Sequence, residues 1–211
     1  MNKPFAIFDM DGTLIDSMRY WKDLAQEFLR SKGVPCVSPE ILQRIQPMTM
    51  TESAALFLEE YGLPGTAQSI AAEMNAMMDR HYRQDIPLKP GTAEYLEALH
   101  RRGVTMCVAS ATAEELMAAC LTRLGAARYF SFLLSCETVG AGKNSPAVYW
   151  ESARRLGAQP ADIAVYEDAL YAAATAKQAG FYTVAVYDES SRDQWPQLTA
   201  LADEALRDWK S

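Results

Sequence analysis

The sequence predicts an α/β protein: a doubly wound parallel sheet into which an all-helical segment is inserted. Three observations lead there. Short apolar runs recur at residues 5–10, 104–109, 132–136, 163–166 and 182–187, the length and character of strands buried on both faces. Each of the last four follows a helical stretch, such as 93–102 closed by Gly103 or 169–179 closed by Gly180, which is the alternation that crossovers of a parallel sheet require. Finally, residues 14–87 between the first two runs contain no strand pattern and are too many for a crossover.

Within that long stretch the apolar spacing predicts helices over 17–31, 39–45, 51–61 and 66–84, with Ser17 as an N-cap and Gly33 and Gly62 as stops. The expected division is an α/β core of residues 1–14 and 88–211 and a helical cap domain of residues 15–87, hinged at 14–16 and 86–89. A chain of 211 residues can hold one such core and a small second module. There is no internal repeat and no low-complexity tract.

Composition narrows the function. Hydrophobic residues make up 49% and charged residues 22% of the chain, which suits an ordered globular protein. A net charge of −7 opposes non-specific binding to nucleic acid or an anionic membrane, so a small molecule is the expected partner. Cys36, Cys107, Cys120 and Cys136 lack CxxC spacing and read as reduced core residues. The first residues run straight into a strand without a signal-peptide pattern, and no run approaches the ~18 apolar residues of a membrane span, so a cytoplasmic monomer or weak oligomer is expected.

Ligands of open α/β sheets gather beyond the carboxyl ends of the strands. The residues found there are Asp9-Met10-Asp11-Gly12-Thr13 after the first run, Ser110-Ala111-Thr112 after the second and Glu167-Asp168 after the fourth, with Lys143 following the third in Gly142-Lys143-Asn144-Ser145-Pro146. These four stretches, in this order and spacing, resemble the four motifs of the haloacid dehalogenase superfamily of phosphatases. The resemblance spans nearly the whole chain, and the helical insertion directly after the first motif is similar to the branch that contains β-phosphoglucomutase. It implies a Rossmann-like core and a phosphatase acting on a small phosphate ester such as a sugar phosphate. It also implies that Lys143 contacts nucleophile and phosphate, Ser110 bonds a phosphate oxygen, Glu167 supports the metal shell, and the Asp11 carbonyl joins Asp9 and Asp168 as a metal ligand.

The residue types have physical reasons of their own. A carboxylate such as Asp9 attacks phosphorus only when held in line with the leaving oxygen. Alternation along a strand would point Asp9 and Asp11 to one side, and Asp11 could then protonate the leaving alcohol and later deprotonate the attacking water. Four acids around a phosphate repel by roughly 3 to 4 kcal/mol per close pair, which calls for a hard divalent cation, Mg²⁺, alongside Lys143. Backbone N–H groups at Met10 and Ala111 would add phosphate donors without charge.

Plainer readings attach to other residues. Thr112 and Ser17 read as helix caps, His81 and His100 as surface or packing residues without carboxylate partners, and Met74, Met77 and Met78 as cap packing. The stretch ending in Lys143 is not a nucleotide-binding P-loop, because no Ser or Thr follows the lysine. Ala169, Ala172 and Asn144 depart from the family's common residues, while the acidic pair is intact. Two alternatives use the same residues: a phosphosugar mutase, which would need an arginine where residues 47–51 read Pro-Met-Thr-Met-Thr and where Arg44 is a poor match, and a non-catalytic phospho-acceptor module, which would be shorter and uninserted.

Overall fold

The computed structural model describes residues 2–45, 48 and 50–209. The chain divides into two compact units, Met1–Ser17 with Ile86–Ser211, and Met18–Asp85. The first is the α/β unit. Its elements follow as β1 (Phe5–Phe8), α5 (Thr92–Arg101), β2 (Thr105–Ser110), α6 (Glu114–Arg123), β3 (Phe130–Ser135), α7 (Cys136–Val139), α8 (Ala147–Leu156), β4 (Ile163–Glu167), α9 (Leu170–Gln178), β5 (Tyr182–Val186), α10 (Trp195–Leu201) and β6 (Glu204–Leu206). The helices numbered α1 (Met18–Ser31), α2 (Pro39–Ile45), α3 (Met50–Tyr61) and α4 (Ala67–Gln84) form the inserted unit.

All strand pairs are parallel, in the order β3-β2-β1-β4-β5-β6. This is the doubly wound, Rossmann-like arrangement expected, with one strand more. The strand β6 escaped the sequence reading because three residues, Glu-Ala-Leu, carry no apolar run; register with Val184–Val186 makes them a strand. The chain winds outward from β1 in one direction and then in the other, so the switch point lies between β1 and β4.

Alternation sorts the sheet's two faces. Ile7, Cys107, Ala109, Val165 and Leu134 pack with Val148 and Tyr149 of α8 on one face. On the other, Phe8 stacks on Tyr166 with ring centroids 4.3 Å apart, and Trp209 closes over both. By the same period of two, Asp9 and Glu167 continue the face of Ile7 and Val165.

In the helical unit, α1 buries Leu24, Ala25, Phe28 and Leu29, and α4 buries Ile70, Ala71, Met74, Met78, His81 and Tyr82, a stripe at helical spacing. A reciprocal Thr66–Ser69 capping box starts α4. Met74 and Met78 pack as expected, and Met74 also lines a cavity of about 500 Å³ with Trp21, Leu24, Leu42 and Ile45.

Three local expectations are corrected. Ser17 precedes α1, but its buried hydroxyl has no hydrogen-bond partner among the described residues, so it does not cap the helix. His81 has carboxylate neighbours after all: Asp85 Oδ2 lies 2.7 Å from Nδ1 and Glu27 Oε2 lies 2.8 Å from Nε2. They stand at opposite ring nitrogens, which makes His81 a strut between α1 and α4. Cys36 is exposed, whereas the other three cysteines are buried.

The connection between the units is a short ribbon belonging to the α/β unit. Ile15 bridges to Leu88, the Asp16 N–H donates to the Pro87 carbonyl at 3.0 Å, and the Lys89 N–H donates to the Leu14 carbonyl at 2.9 Å. Arg123 of α6 steadies it through the Ile86 carbonyl.

Burial pushes the Cys107 thiol up to about 12 and the Cys120 thiol up to about 11, and raises that of Cys136. Because the thiolate is the reactive species, alkylation of the native protein at pH 8 should add one label, at Cys36, and denaturant should expose all four sites. Peptide mass spectrometry reads the result; fast native labelling of Cys107 would contradict the core described.

Candidate active site

The carboxyl ends of β1 and β4 meet at the switch point, and there Asp9, Glu167 and Asp168 each bring a carboxylate oxygen within 4.8 Å of the others. All three residues are buried, as is Lys143. Lys143 reaches in from the turn between α7 and α8, donating to Asp9 Oδ1 and, at 2.6 Å, to Glu167 Oε1. The helix α7 ends at Gly140 with φ +76°, a left-handed turn that glycine takes without strain.

Burial dominates the electrostatics. It pushes the Asp9 carboxyl well up; Lys143 opposes this, and Glu167, Asp168 and Asp11 reinforce it. Burial likewise raises Asp168 to about 7, helped by Glu167 and Asp188 and opposed by Lys143 and Lys89. Desolvation alone would lower Lys143, but Asp9 and Glu167 hold it well above the usual lysine range. The lysine is therefore a fixed cation shared by two acids. One such charge does not neutralise three buried carboxylates, and this set of hard oxygen donors fits a divalent cation such as Mg²⁺.

Asp11 belongs to the same edge but to a different set of partners. The strand β1 stops at Phe8, and Asp11 sits in an isolated bridge with Ile15, so strand alternation does not govern where its side chain goes. Its Oδ2 accepts from Thr112 Oγ1 at 2.6 Å and from Ser110 Oγ at 3.4 Å. Thr112 is thus a partner of Asp11 and not the expected cap; the N-cap of α6 is Ala113, without a side-chain bond. Ser110 also accepts from the Thr112 N–H at 3.1 Å, and Ala111 is exposed beside it.

Several residues at this edge went unread in the sequence. Thr13 Oγ1 donates to Asp168 Oδ1 at 3.2 Å, and Trp209 Nε1 donates to the Thr13 carbonyl at 3.2 Å. The Tyr149 hydroxyl donates to Glu167 Oε1 at 2.8 Å, and burial pushes its pKa well above the usual tyrosine range, so it stays a donor. Lys89 and Asp188 form a part-buried ion pair at 2.9 Å close enough to affect Asp168, so Lys143 is not the sole cation near the site. Asp188 follows the fifth apolar run, and the strand-end rule that singled out Asp9 and Glu167 would have found it. Tyr149 carried no such signal, being a helix residue whose partner lies on another strand.

Comparison with known proteins agrees with this geometry. Residues 5–180 match the family model of haloacid dehalogenase-like hydrolases. The chain belongs to that family. The resemblance read from the four strand-end motifs is thereby borne out, and the family member is a hydrolase. A phosphorylated carbohydrates phosphatase of Thermotoga maritima is 25% identical over 175 residues, 83% of this chain and 81% of that protein. A bifunctional riboflavin kinase/FMN phosphatase of Arabidopsis thaliana is 29% identical over 206 residues, 95% of this chain and 52% of that protein, so the chain spans about half of that relative's length. Among solved structures, a candidate β-phosphoglucomutase of Thermotoga maritima superposes with a TM-score of 0.83 at 23% identity, covering 98% of this chain and 95% of that one, a likeness of fold. No helix among the described residues is long and apolar enough to cross a membrane.

The raised carboxyls give the haloacid dehalogenase-like unit a pH-dependent stability. Asp168 moves from an ordinary 3.8 to about 7 on folding, and Asp9 moves the same way. Between those values the folded chain holds protons that the unfolded chain has lost, so stability falls as pH rises through 7. In chelator, the Tm should drop by several degrees from pH 5 to pH 8, and Asp168→Asn should flatten the slope. A Tm that rises over this interval in wild type would contradict the assignment.

Proposed function

We propose that this phosphoric monoester hydrolase is a Mg²⁺-dependent phosphatase that cleaves a small phosphate ester, a sugar phosphate or similar, through an aspartyl-phosphate on Asp9. The observation that carries the reading is Lys143 held between Asp9 and Glu167 beside Asp168, at the one sheet edge where an α/β fold binds ligands. The names of relatives support the substrate class: besides the carbohydrate and FMN phosphatases, hexitol phosphatase B of Escherichia coli is 26% identical over 182 residues.

In this reading Asp9 attacks phosphorus in line with the ester oxygen, and Asp11 donates the proton that the leaving alcohol needs. After the alcohol departs, Asp11 takes a proton from the water that attacks the aspartyl-phosphate, regenerating both carboxyls. The hydrogen bond from Thr112 keeps Asp11 oriented beside the end of β2, and the long one from Ser110 gives way when that hydroxyl turns to phosphate. Lys143 offsets the charge of Asp9 and of the transferring group, and Ser110 with the N–H groups of Ala111 and Met10 binds phosphate oxygens. Asp9, Asp168 and the Asp11 carbonyl would hold Mg²⁺, with Glu167 supporting them. When bound, the ion supplies the positive charge that lets a phosphate dianion approach a cluster of acids.

The net charge and the four free cysteines suit a small-molecule enzyme of a reducing compartment such as the cytoplasm. Hydrolysis is preferred to phosphosugar mutase chemistry. Arg44, the arginine nearest the cap segment where a mutase would grip a second phosphate, is engaged with Glu60 at 2.6 Å. Pro47 and Thr49 of that segment lie outside the described residues.

Phosphate release from a panel of sugar, polyol and nucleoside monophosphates, with Mg²⁺ and with chelator, tests the reading. Asp9→Asn should reduce turnover by on the order of 10³-fold or more, and Asp11→Asn by about 10²–10⁴-fold, each with an unchanged circular dichroism spectrum. Lys143→Ala should both raise KM and lower kcat. Mg²⁺-dependent release surviving in Asp9→Asn would remove Asp9 as nucleophile, and isomerisation of a sugar phosphate without phosphate release would move the assignment to a mutase.

A further inference from the structure

Lys89 stands where the chain re-enters the α/β unit, one residue after the Leu88 that bridges to Ile15. Its ammonium donates to the Gly12 carbonyl at 2.6 Å, the Tyr187 carbonyl at 2.6 Å and Asp188 Oδ2 at 2.9 Å. An ammonium has three donors, and all three are used. The Lys89 side chain is 14% exposed and that of Asp188 6%. Burial pushes the Asp188 carboxyl up, but its hydrogen bonds from Ser190 and Lys89 outweigh this and hold it below the usual range, so the pair is ionised.

The acceptors give this arrangement its meaning. Gly12 follows Asp11 and turns the chain with φ +80°. The next residue, Thr13, donates to Asp168 Oδ1 at 3.2 Å. On the other side, the loop after β5 carries Asp188 and Ser191, and Ser191 Oγ donates to the Asp168 carbonyl at 3.2 Å. Lys89 therefore ties together the two segments that support Asp168, one of which also carries the Asp11 carbonyl.

We propose that Lys89 is a positioning residue: by fixing the Gly12 peptide against the loop after β5, it holds Asp9, the Asp11 carbonyl and Asp168 in the geometry that binds Mg²⁺. The proposal rests on the metal-dependent reading above. Lys89 touches no reacting atom and works through the turn and loop it joins. Partners of metal ligands that act in this way are commonly worth about 10–100-fold in affinity or activity.

A charge effect must be separated from a positioning effect, because Lys89 also lies among acids. The double variant Lys89→Met/Asp188→Asn removes one positive and one negative charge and leaves the local sum unchanged. Mg²⁺ binding to the substrate-free, metal-stripped protein is measured by isothermal titration calorimetry, alongside Tm and kcat. The double variant should bind Mg²⁺ about 10–100-fold more weakly and lose kcat to a similar extent while still unfolding cooperatively. Wild-type Mg²⁺ affinity in the double variant, with only Tm lowered, would reduce Lys89 to a structural residue and overturn the proposal.

Should the double variant fail to fold, Lys89→Arg retains the charge but cannot place three donors at the same points. A loss of about tenfold is then expected, and unchanged Mg²⁺ affinity is the overturning result. Wild type that binds no Mg²⁺ and hydrolyses no ester would bring down the metal-dependent reading and this proposal together. Normal binding in wild type and variants alike brings down this proposal alone.

Discussion

The contact on which the rest depends is the shared cation, Lys143, clamped between Asp9 on one strand end and Glu167 on its neighbour. Bringing buried carboxylates together is unfavourable twice over, through lost hydration and through mutual repulsion. An ammonium between them offsets both only when geometry is good and the remaining lone pairs are satisfied. Tyr149 meets part of that condition at Glu167, as Thr13 does at Asp168. Breaking such a pair from one side typically costs about 3–5 kcal/mol, so the acids and their lysine are constrained as a group.

The sheet is what makes the contact possible. Parallel pairing in register places Phe8 beside Tyr166, and the residues that follow them, Asp9 and Glu167, emerge as neighbours at the point where the winding reverses. The apolar contacts on the two faces fix that register, since a slip of one residue would turn each strand's side chains to the opposite face. Stacking of Phe8, Tyr166 and Trp209 on one side and the Tyr149 layer on the other therefore sets the site's geometry as much as it stabilises the domain.

Much of this was legible in the sequence, for identifiable reasons. Five strands announced themselves as apolar runs, and acids at the ends of two runs with a lysine after a third marked the cluster that the structure brings together. The strand β6 did not, because its pairing partner, not its own pattern, makes Glu204–Leu206 extended. Thr112 read as a cap because a threonine before a helix is so often one; only the end of β1 at Phe8 frees Asp11 to meet it. Asp85 caps the helix four residues after His81, a spacing visible beforehand, whereas Glu27 reaches the ring from a distant segment. Tyr149 and Lys89 depend on contacts far apart in the chain, which no local pattern encodes.

The ribbon joining the two units carries a consequence for descent. Its two segments leave and re-enter the α/β unit side by side, with Ile15 bridged to Leu88. The inserted helices thus hang from what is, for the sheet, one short connection whose two ends lie together. A lineage could replace that insert with a longer, shorter or unrelated one while leaving every strand in place. The acids at the strand ends and their lysine would then be inherited unchanged through each exchange.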